Sequence, residues 1–437
     1  MTDQAPIEVT VEVDGAEHVA GTLFAHERHG FSATFRYSDG WIAAPFGYDL
    51  DPALPRSTGL LQTPPGKELF NAFADGAPDR WGRRLMTREE SELAKVHGRT
   101  ARTLTPADYL LGTRDDIRQG AIRFRHPATS DYYSPAPAGV PRLLSLAHLL
   151  AAADAYQAGE AHARDIKDVL NAGGSLGGAR PKAAVLSNDN RLCIAKFPHK
   201  GADEWDVMAW EEVAYRLARR AGLATARTEL IRVAGRNVLL VERFDRAGDV
   251  RVGFASAMTM VEASDHESHS YLELADAIAT TSTQTSADLE QLWRRIVFSI
   301  CIANTDDHLR NHGFLRHGAG WLLSPAYDMN PNPDEPDRLT TAIDVADATA
   351  DLELARSVAS YFRLGAARSQ QIIGEVAAAS STWLNQARSL GLSAQEIDRV
   401  APAFARAGGL PPPAPSRFAS LSVRAEPDLG SVLQGCW

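Results

Sequence analysis

Residues 304–311, Asn304-Thr305-Asp306-Asp307-His308-Leu309-Arg310-Asn311, run into the apolar Gly313-Phe314-Leu315 and then into Leu323-Ser324-Pro325-Ala326-Tyr327-Asp328. An Asp followed five residues later by an Asn, with another Asp roughly twenty residues on, is the spacing that phosphoryl transfer uses. The first carboxylate takes the proton of a hydroxyl, and the amide and the later carboxylate hold metal. Asp306, Asn311 and Asp328 occupy those offsets. Such a trio means little alone, because Asp and Asn are common in loops. Its weight comes from what precedes it.

Immediately upstream, Leu289, Leu292, Trp293, Ile296, Val297, Ile300 and Cys301 recur at spacings of three and four, which predicts a buried helix with Ser286 as its cap. A core helix that feeds a polar loop is how a rigid scaffold positions catalytic groups. A shorter helix is expected around Leu272, Leu274, Ala275 and Ile278. Further back, Thr228 to Val233 and Val238 to Arg246 read as a hairpin, and Glu204 to Ala221 as an amphipathic helix ended by Gly222. The segment Leu192-Cys193-Ile194-Ala195-Lys196-Phe197-Pro198 is a strand with one lysine in an apolar run. A charge in a buried strand is costly unless paired, so Lys196 is expected to face a cleft and an anion; the alternative is an edge lysine reaching into water. Glu211 is placed to pair with it from the helix, with Glu212 as the competitor. Before this strand lies Gly173-Gly174-Ser175-Leu176-Gly177-Gly178-Ala179-Arg180-Pro181-Lys182, a glycine-rich loop whose backbone N–H groups could wrap phosphate oxygens, and then a strand from Ala183 to Leu186.

The chain opens differently. Ile7 to Val13 alternates with period two up to Asp14-Gly15, and Gly21 to Phe24 and Phe31 to Tyr37 follow as strands, with a turn at Ser38-Asp39-Gly40. From Lys67 the pattern turns helical, through Pro78-Asp79-Arg80-Trp81-Gly82-Arg83-Arg84-Leu85-Met86; its basic side is either a plain solvated face or a partner contact. One more helix (Asp108 to Leu111) and one more strand (Gly120 to Phe124) complete this part. Four prolines in 127–141 mark the best boundary, followed by helices at Leu143 to Ala158 and Ala161 to Asn171. Beyond Asp328 the chain is largely helical, with Gly365 separating two helices and Ser393-Ala394-Gln395-Glu396 a capping box. Pro411-Pro412-Pro413-Ala414-Pro415 breaks the pattern, and the rest to Trp437 reads as a disordered tail.

The 437 residues are too many for one ordinary core, so two or three subdomains are expected. A net charge of −10 argues against bulk nucleic-acid binding as the main activity. Cys193, Cys301 and Cys436 have neither metal-ligand spacing nor a disulfide framework, which points to a reducing, cytoplasmic compartment. No stretch approaches the length of a membrane span, and no secretory leader is visible.

Together these residues resemble the HipA family, the serine/threonine kinase toxins of bacterial type II toxin–antitoxin pairs. Ser175 to Lys182 is similar to the family's phosphate loop, Cys193 to Pro198 to its ATP-lysine strand, and Val241-Glu242-Arg243-Phe244-Asp245-Arg246 to its hinge. Asn304 to Asn311 resembles the catalytic loop, Ser324 to Asp328 the metal-binding segment, and Asp79 to Arg83 with Arg118 to Ala121 parts of the N-terminal subdomain. The resemblance covers about residues 5 to 405. It implies an α+β, two-lobed protein-kinase-like fold: an N-terminal β-rich subdomain (1–126), a linker (127–142), an ATP-binding part (143–246), a helical catalytic lobe (247–408) and the tail (409–437). ATP and Mg²⁺ would lie between the lobes. Lys196 would hold phosphates, Asp306 would be the base, and Asn311 with Asp328 would ligate metal. Ser175, Gly177, Gly178, Ala179 and Lys182 would line the nucleotide, with the backbone near Glu242 and Phe244 on adenine and Asp245 near the ribose. The resemblance further implies autophosphorylation at Ser175, a protein substrate such as an aminoacyl-tRNA synthetase, and a separately encoded DNA-binding antitoxin as partner, any DNA contact being indirect. A small-molecule kinase for a lipid or sugar, and a nucleotide-binding pseudokinase scaffold, are the alternatives. The full set of lysine, base, Asn and metal Asp argues against the scaffold.

Overall fold

The computed structural model describes residues 5–27, 30–134, 139–161, 165, 166, 168, 169, 172, 180–265 and 267–407. The glycine-rich loop 173–179, most of the expected helix at 161–171 and the tail after Pro411 lie outside these residues.

The alternating N-terminal segment forms β1 (Ile7–Val13), which pairs with β2 (Ala16–His26). Asp14 and Gly15 both take positive φ (50° and 77°), the tight hairpin turn whose twist matches that of the strands it joins. With β3 (Ser32–Tyr37), β4 (Leu61–Gln62) and β5 (Ile122–Arg125) they make an antiparallel sheet in the order β4-β3-β2-β1-β5. Ser38 does not turn the chain directly. Its hydroxyl caps a five-residue helix, accepting from the Trp41 amide at 3.1 Å. The long helix α1 (Arg80–Val96) is capped by Asp79, and α2 (Pro106–Gly112) opens with a Thr105–Asp108 capping box. Both ends of the segment 127–142 are tied into sheets: Tyr132 bridges to Arg125, and Arg142 to Leu186.

A second sheet holds β6 (Lys182–Leu186), β7 (Leu192–Lys196), β8 (Thr228–Val233) and β9 (Arg236–Glu242) in the order β6-β7-β9-β8, all antiparallel. Its residues alternate between two cores. Ala183, Val185, Cys193, Ala195, Val238 and Leu240 pack under α3 (Leu146–Gln157). Leu239 and Val241 face α4 (Val207–Arg220), which belongs to the main core. Period two then puts Lys182 and Lys196 on the α4 side. Asp206, not Glu204, starts α4, accepting from the Ala209 amide at 3.0 Å.

The rest is helices and irregular segments, with 324–351 free of helix, and two small antiparallel pieces: β10 (Arg246–Ala247) with β11 (Val250–Arg251), and β12 (Phe254–Ser256) with β13 (Gly313–His317) and β14 (Gly320–Leu323). Helix α5 (Tyr271–Thr281) has a Ser270–Glu273 capping box. The central helix α6 (Thr285–Cys301) begins one residue earlier than its expected cap, so Ser286 lies inside it and Gln284 stands at the cap without a side-chain bond. Its apolar face, Leu289 to Cys301, is buried as the spacing predicts. Gly365 precedes α7 (Ala366–Ser380), and the Ser393–Glu396 capping box opens α8 (Ala394–Val400). One continuous core runs from Ile7 in the first sheet to Ala407, so the N-terminal sheet and the helical lobe share their apolar interior. Among the described residues no helix is long and apolar enough to cross a membrane.

Candidate active site

Helix α6 ends with Ile300 and Cys301 fully buried, and Ala303 then takes a left-handed φ of 47°. The Asn304 amide returns to the Ser299 carbonyl at 2.8 Å, which closes the helix and fixes where the loop starts. The Asn304 side-chain oxygen accepts from the Asn330 amide at 3.0 Å, joining the loop at 304–311 to the segment just after Asp328.

Within the loop the two adjacent aspartates part company. Asp307 is buried, accepting from the Tyr271 hydroxyl at 2.5 Å and the Ser299 hydroxyl at 3.2 Å, with His312 Nε2 at 3.1 Å. Asp306 is exposed. Its carboxyl is nonetheless raised above the usual carboxylate range, first by partial burial and then by the charges of Asp328 and Asp307, with His308 pulling the other way. Asn311 is buried and donates from Nδ2 to the Asp306 carbonyl at 3.0 Å, which orients its amide.

Asp328 is a non-glycine residue in the left-handed region (φ 57°), and its amide donates to the Tyr215 hydroxyl oxygen at 3.2 Å. Its Oδ1 lies 2.6 Å from Lys196 Nζ, and Asn330 Nδ2 donates to the same oxygen at 3.2 Å. Lys196 Nζ also meets Glu211 Oε1 at 2.6 Å. Glu211 and Tyr215 are one turn apart on α4 and so share a face. Burial alone would push Lys196 down and Asp328 up. Their mutual attraction wins, holding the lysine well above and the aspartate well below their ordinary values, so both are charged. Glu212, the competitor, points elsewhere, to Arg216 at 2.8 Å and the Thr228 hydroxyl at 2.6 Å.

The hinge residues behave less uniformly. The Glu242 carboxylate pairs with Arg191 at 2.9 Å, and its amide donates to the Arg227 carbonyl at 2.8 Å. Phe244 packs half-buried against Tyr327, ring centres 5.4 Å apart, which brings the hinge next to the segment that carries Asp328. Asp245, expected near the ribose, is instead buried and engaged on both oxygens. It accepts from Arg243 Nε at 2.8 Å, Arg246 Nη1 at 2.8 Å and the Gly120 amide at 2.7 Å. This carboxylate fastens the hinge to the N-terminal sheet. Lys182 is buried and bonded to Asp79 at 3.1 Å. Ser175, Gly177, Gly178 and Ala179 lie outside the described residues.

The remaining oxygen donors suit a hard cation. The Asn311 amide is fixed by its nitrogen, leaving its oxygen as acceptor, and Asp328 stays ionised. Asn304 and Asp307 lay inside the expected loop without a role assigned to them, and Asn330 was missed. Only the doubled Asp306-Asp307 hinted that one of the two had a structural task.

The fold is α+β, with a β-rich N-terminal part and a mostly helical C-terminal part. Residues 174–383 match the model of the HipA-like C-terminal domain. The chain is 23% identical over 354 residues to Y4mE of Sinorhizobium fredii, which is named a kinase only provisionally, covering 72% of this chain and 75% of Y4mE. It is 27% identical over 199 residues to the toxin YjjJ of Escherichia coli, covering 42% of this chain and 44% of YjjJ, less than half of that protein. A solved structure of Shewanella oneidensis HipA, in complex with HipB and operator DNA, superposes with a TM-score of 0.64 over 92% of this chain and 96% of that one, at 16% identity. Residues 174–383 are thus similar to a HipA-like C-terminal domain, and the fold of the chain is that of the Shewanella HipA structure.

Proposed function

We propose that this protein is an ATP- and Mg²⁺-dependent serine/threonine protein kinase of the HipA toxin type. The observation that carries the reading is the Lys196 ammonium, held 2.6 Å from both Glu211 and Asp328, residues that the sequence separates by 15 and 132 positions. A lysine paired with a helix glutamate, beside the aspartate of the metal segment, is what protein kinases need in place before transfer. Asp306, exposed and raised in pKa, is available to accept the proton of an incoming hydroxyl. Asn311 and Asp328 are the residues that would hold Mg²⁺, which when bound neutralises charge on the phosphates. Lys196 and Lys182 would steady the phosphates, with the loop around Ser175 over them. The substrate is read as a protein hydroxyl, a translation factor such as an aminoacyl-tRNA synthetase, and Ser175 as a site of self-modification. Phosphate there would add charge and bulk to a loop that must close on ATP. The antitoxin partner is proposed from the HipB bound to the Shewanella relative.

The test is incubation of wild type and Asp306→Asn with labelled ATP and Mg²⁺, alone and with cell extract, followed by mapping of phosphosites. Label on Ser175 or on an extract protein in the wild type alone is expected. Bound ATP without transfer to any protein would overturn the protein-kinase reading.

A further inference from the structure

Two buried lysines stand side by side on the nucleotide face of the second sheet. The register of β6 and β7 sets Lys182 directly opposite Lys196. Like charges opposite one another on neighbouring strands are destabilising. Both side chains are also largely withdrawn from water, 3% and 12% exposed, so each needs a counter-charge of its own. Lys196 has Glu211 and Asp328. The carboxylate that meets Lys182 comes from 103 residues away: Asp79, whose Oδ2 lies 3.1 Å from Nζ.

Asp79 is not an incidental surface acid. It is the cap of α1, and its other oxygen accepts from the Gly82 amide at 2.9 Å. The 17-residue helix therefore starts at the phosphate side of the cleft and is pinned there at its first turn. Burial holds the Lys182 ammonium below its ordinary value even against the charges of Asp79 and Asp328, and burial likewise raises the Asp79 carboxyl. The two lysines are thus supported in parallel ways, one by a helix of the ATP-binding part and the other by a helix of the N-terminal subdomain.

We propose that Asp79 is a positioning residue for the nucleotide site: it holds Lys182 in place beside Lys196, as Glu211 holds Lys196, so that the two lysines clamp the phosphates of a nucleoside triphosphate together. The N-terminal subdomain is then a working part of the ATP site and not an appended module. The inference rests on the kinase reading and adds to it a residue that no kinase motif supplies.

Asp79→Asn separates the two tasks of this side chain, because Asn caps a helix as well as Asp does while the charge is gone. The expected result is nucleotide affinity weakened about tenfold, read as KM for ATP and as the Kd of a fluorescent ATP analogue, with kcat at saturating ATP changed less than about threefold. The same substitution made in a Lys182→Met background is expected to cost no further affinity, since Asp79 acts through Lys182. That double variant also removes the buried ammonium whose charge Asp79 helps to offset and whose burial could unfold the single variant. Unchanged or tighter nucleotide binding in Asp79→Asn, or an equal loss in both backgrounds, overturns the proposal. A wild type that binds no ATP brings down the kinase reading and this inference together. A wild type that binds as well as Asp79→Asn brings down the inference alone.

Discussion

Two ionic clusters, one around Lys196 and one around Asp245, are built to opposite purposes. At the cleft, Glu211 and Asp328 pair with the ammonium of Lys196, and the exposed Asp306 feels the charge of Asp328. Behind the hinge, Arg243, Arg246, Arg251, Arg118 and Arg123 gather around Asp245 and Asp115, all of them buried or nearly so. The surplus cations there are absorbed by backbone carbonyls: Arg243 donates to the Ile117 carbonyl at 2.6 Å, Arg246 to that of Arg118 at 2.7 Å, and Arg118 to those of Gly76, Leu110 and Thr113. The rear cluster has most of its donors engaged and ties the N-terminal sheet to the hinge. The front one keeps a surplus of negative charge near solvent, which suits a site that receives cations. Charge density does not mark function; unspent charge does.

Breaking each cluster should therefore give different losses. The largest effect is expected from Asp306→Asn, a fall in kcat of at least about 100-fold with nucleotide affinity kept, measured by steady-state transfer and analogue binding. Asp245→Asn should leave chemistry per folded molecule intact but cost about 3–5 kcal/mol of stability by urea unfolding, because it strands buried arginines. The sign with pH follows from its carboxyl, which burial would raise but which Arg243 and Arg246 hold well below the unfolded value of about 4. That stabilisation is present above about pH 4 and lost as pH falls toward the depressed folded value, so Asp245→Asn should flatten the acid limb of stability.

Glu211→Gln and Glu212→Gln sharpen the contrast within one helix turn. The first should lower kcat/KM about tenfold or more by loosening Lys196. The second, removing partners of Arg216 and Thr228, should cost about 1–3 kcal/mol of stability with kcat unchanged. The smallest effect is in the pH–rate profile. Asp306 must be ionised to accept a proton and its pKa is raised, so kcat should fall with acid at a pH above the ordinary aspartate value of about 4. A limb at or below that value would remove Asp306 as the base.

Much of this was legible in the chain itself. The strands at Ile7–Val13 and Leu192–Lys196, the buried face of α6 and the capping box at Ser393 follow from period and local hydrogen bonding, which act over a few residues. The order and offsets of Lys196, Asp306, Asn311 and Asp328 pointed to one site, and the structure brings Lys196 and Asp328 into contact. The sequence did not show that Asp245 bonds to Arg243, Arg246 and Gly120, and left the choice between Glu211 and Glu212 open. It gave no sign that Asp79 reaches Lys182. Each of those questions asks which distant group meets a given charge. Neighbouring carboxylates are chemically equivalent until packing decides which one is turned inward and what it finds there. Local pattern determined the elements and the inventory of the site; only the tertiary structure decided which charges are spent on holding the fold and which stay available to a ligand.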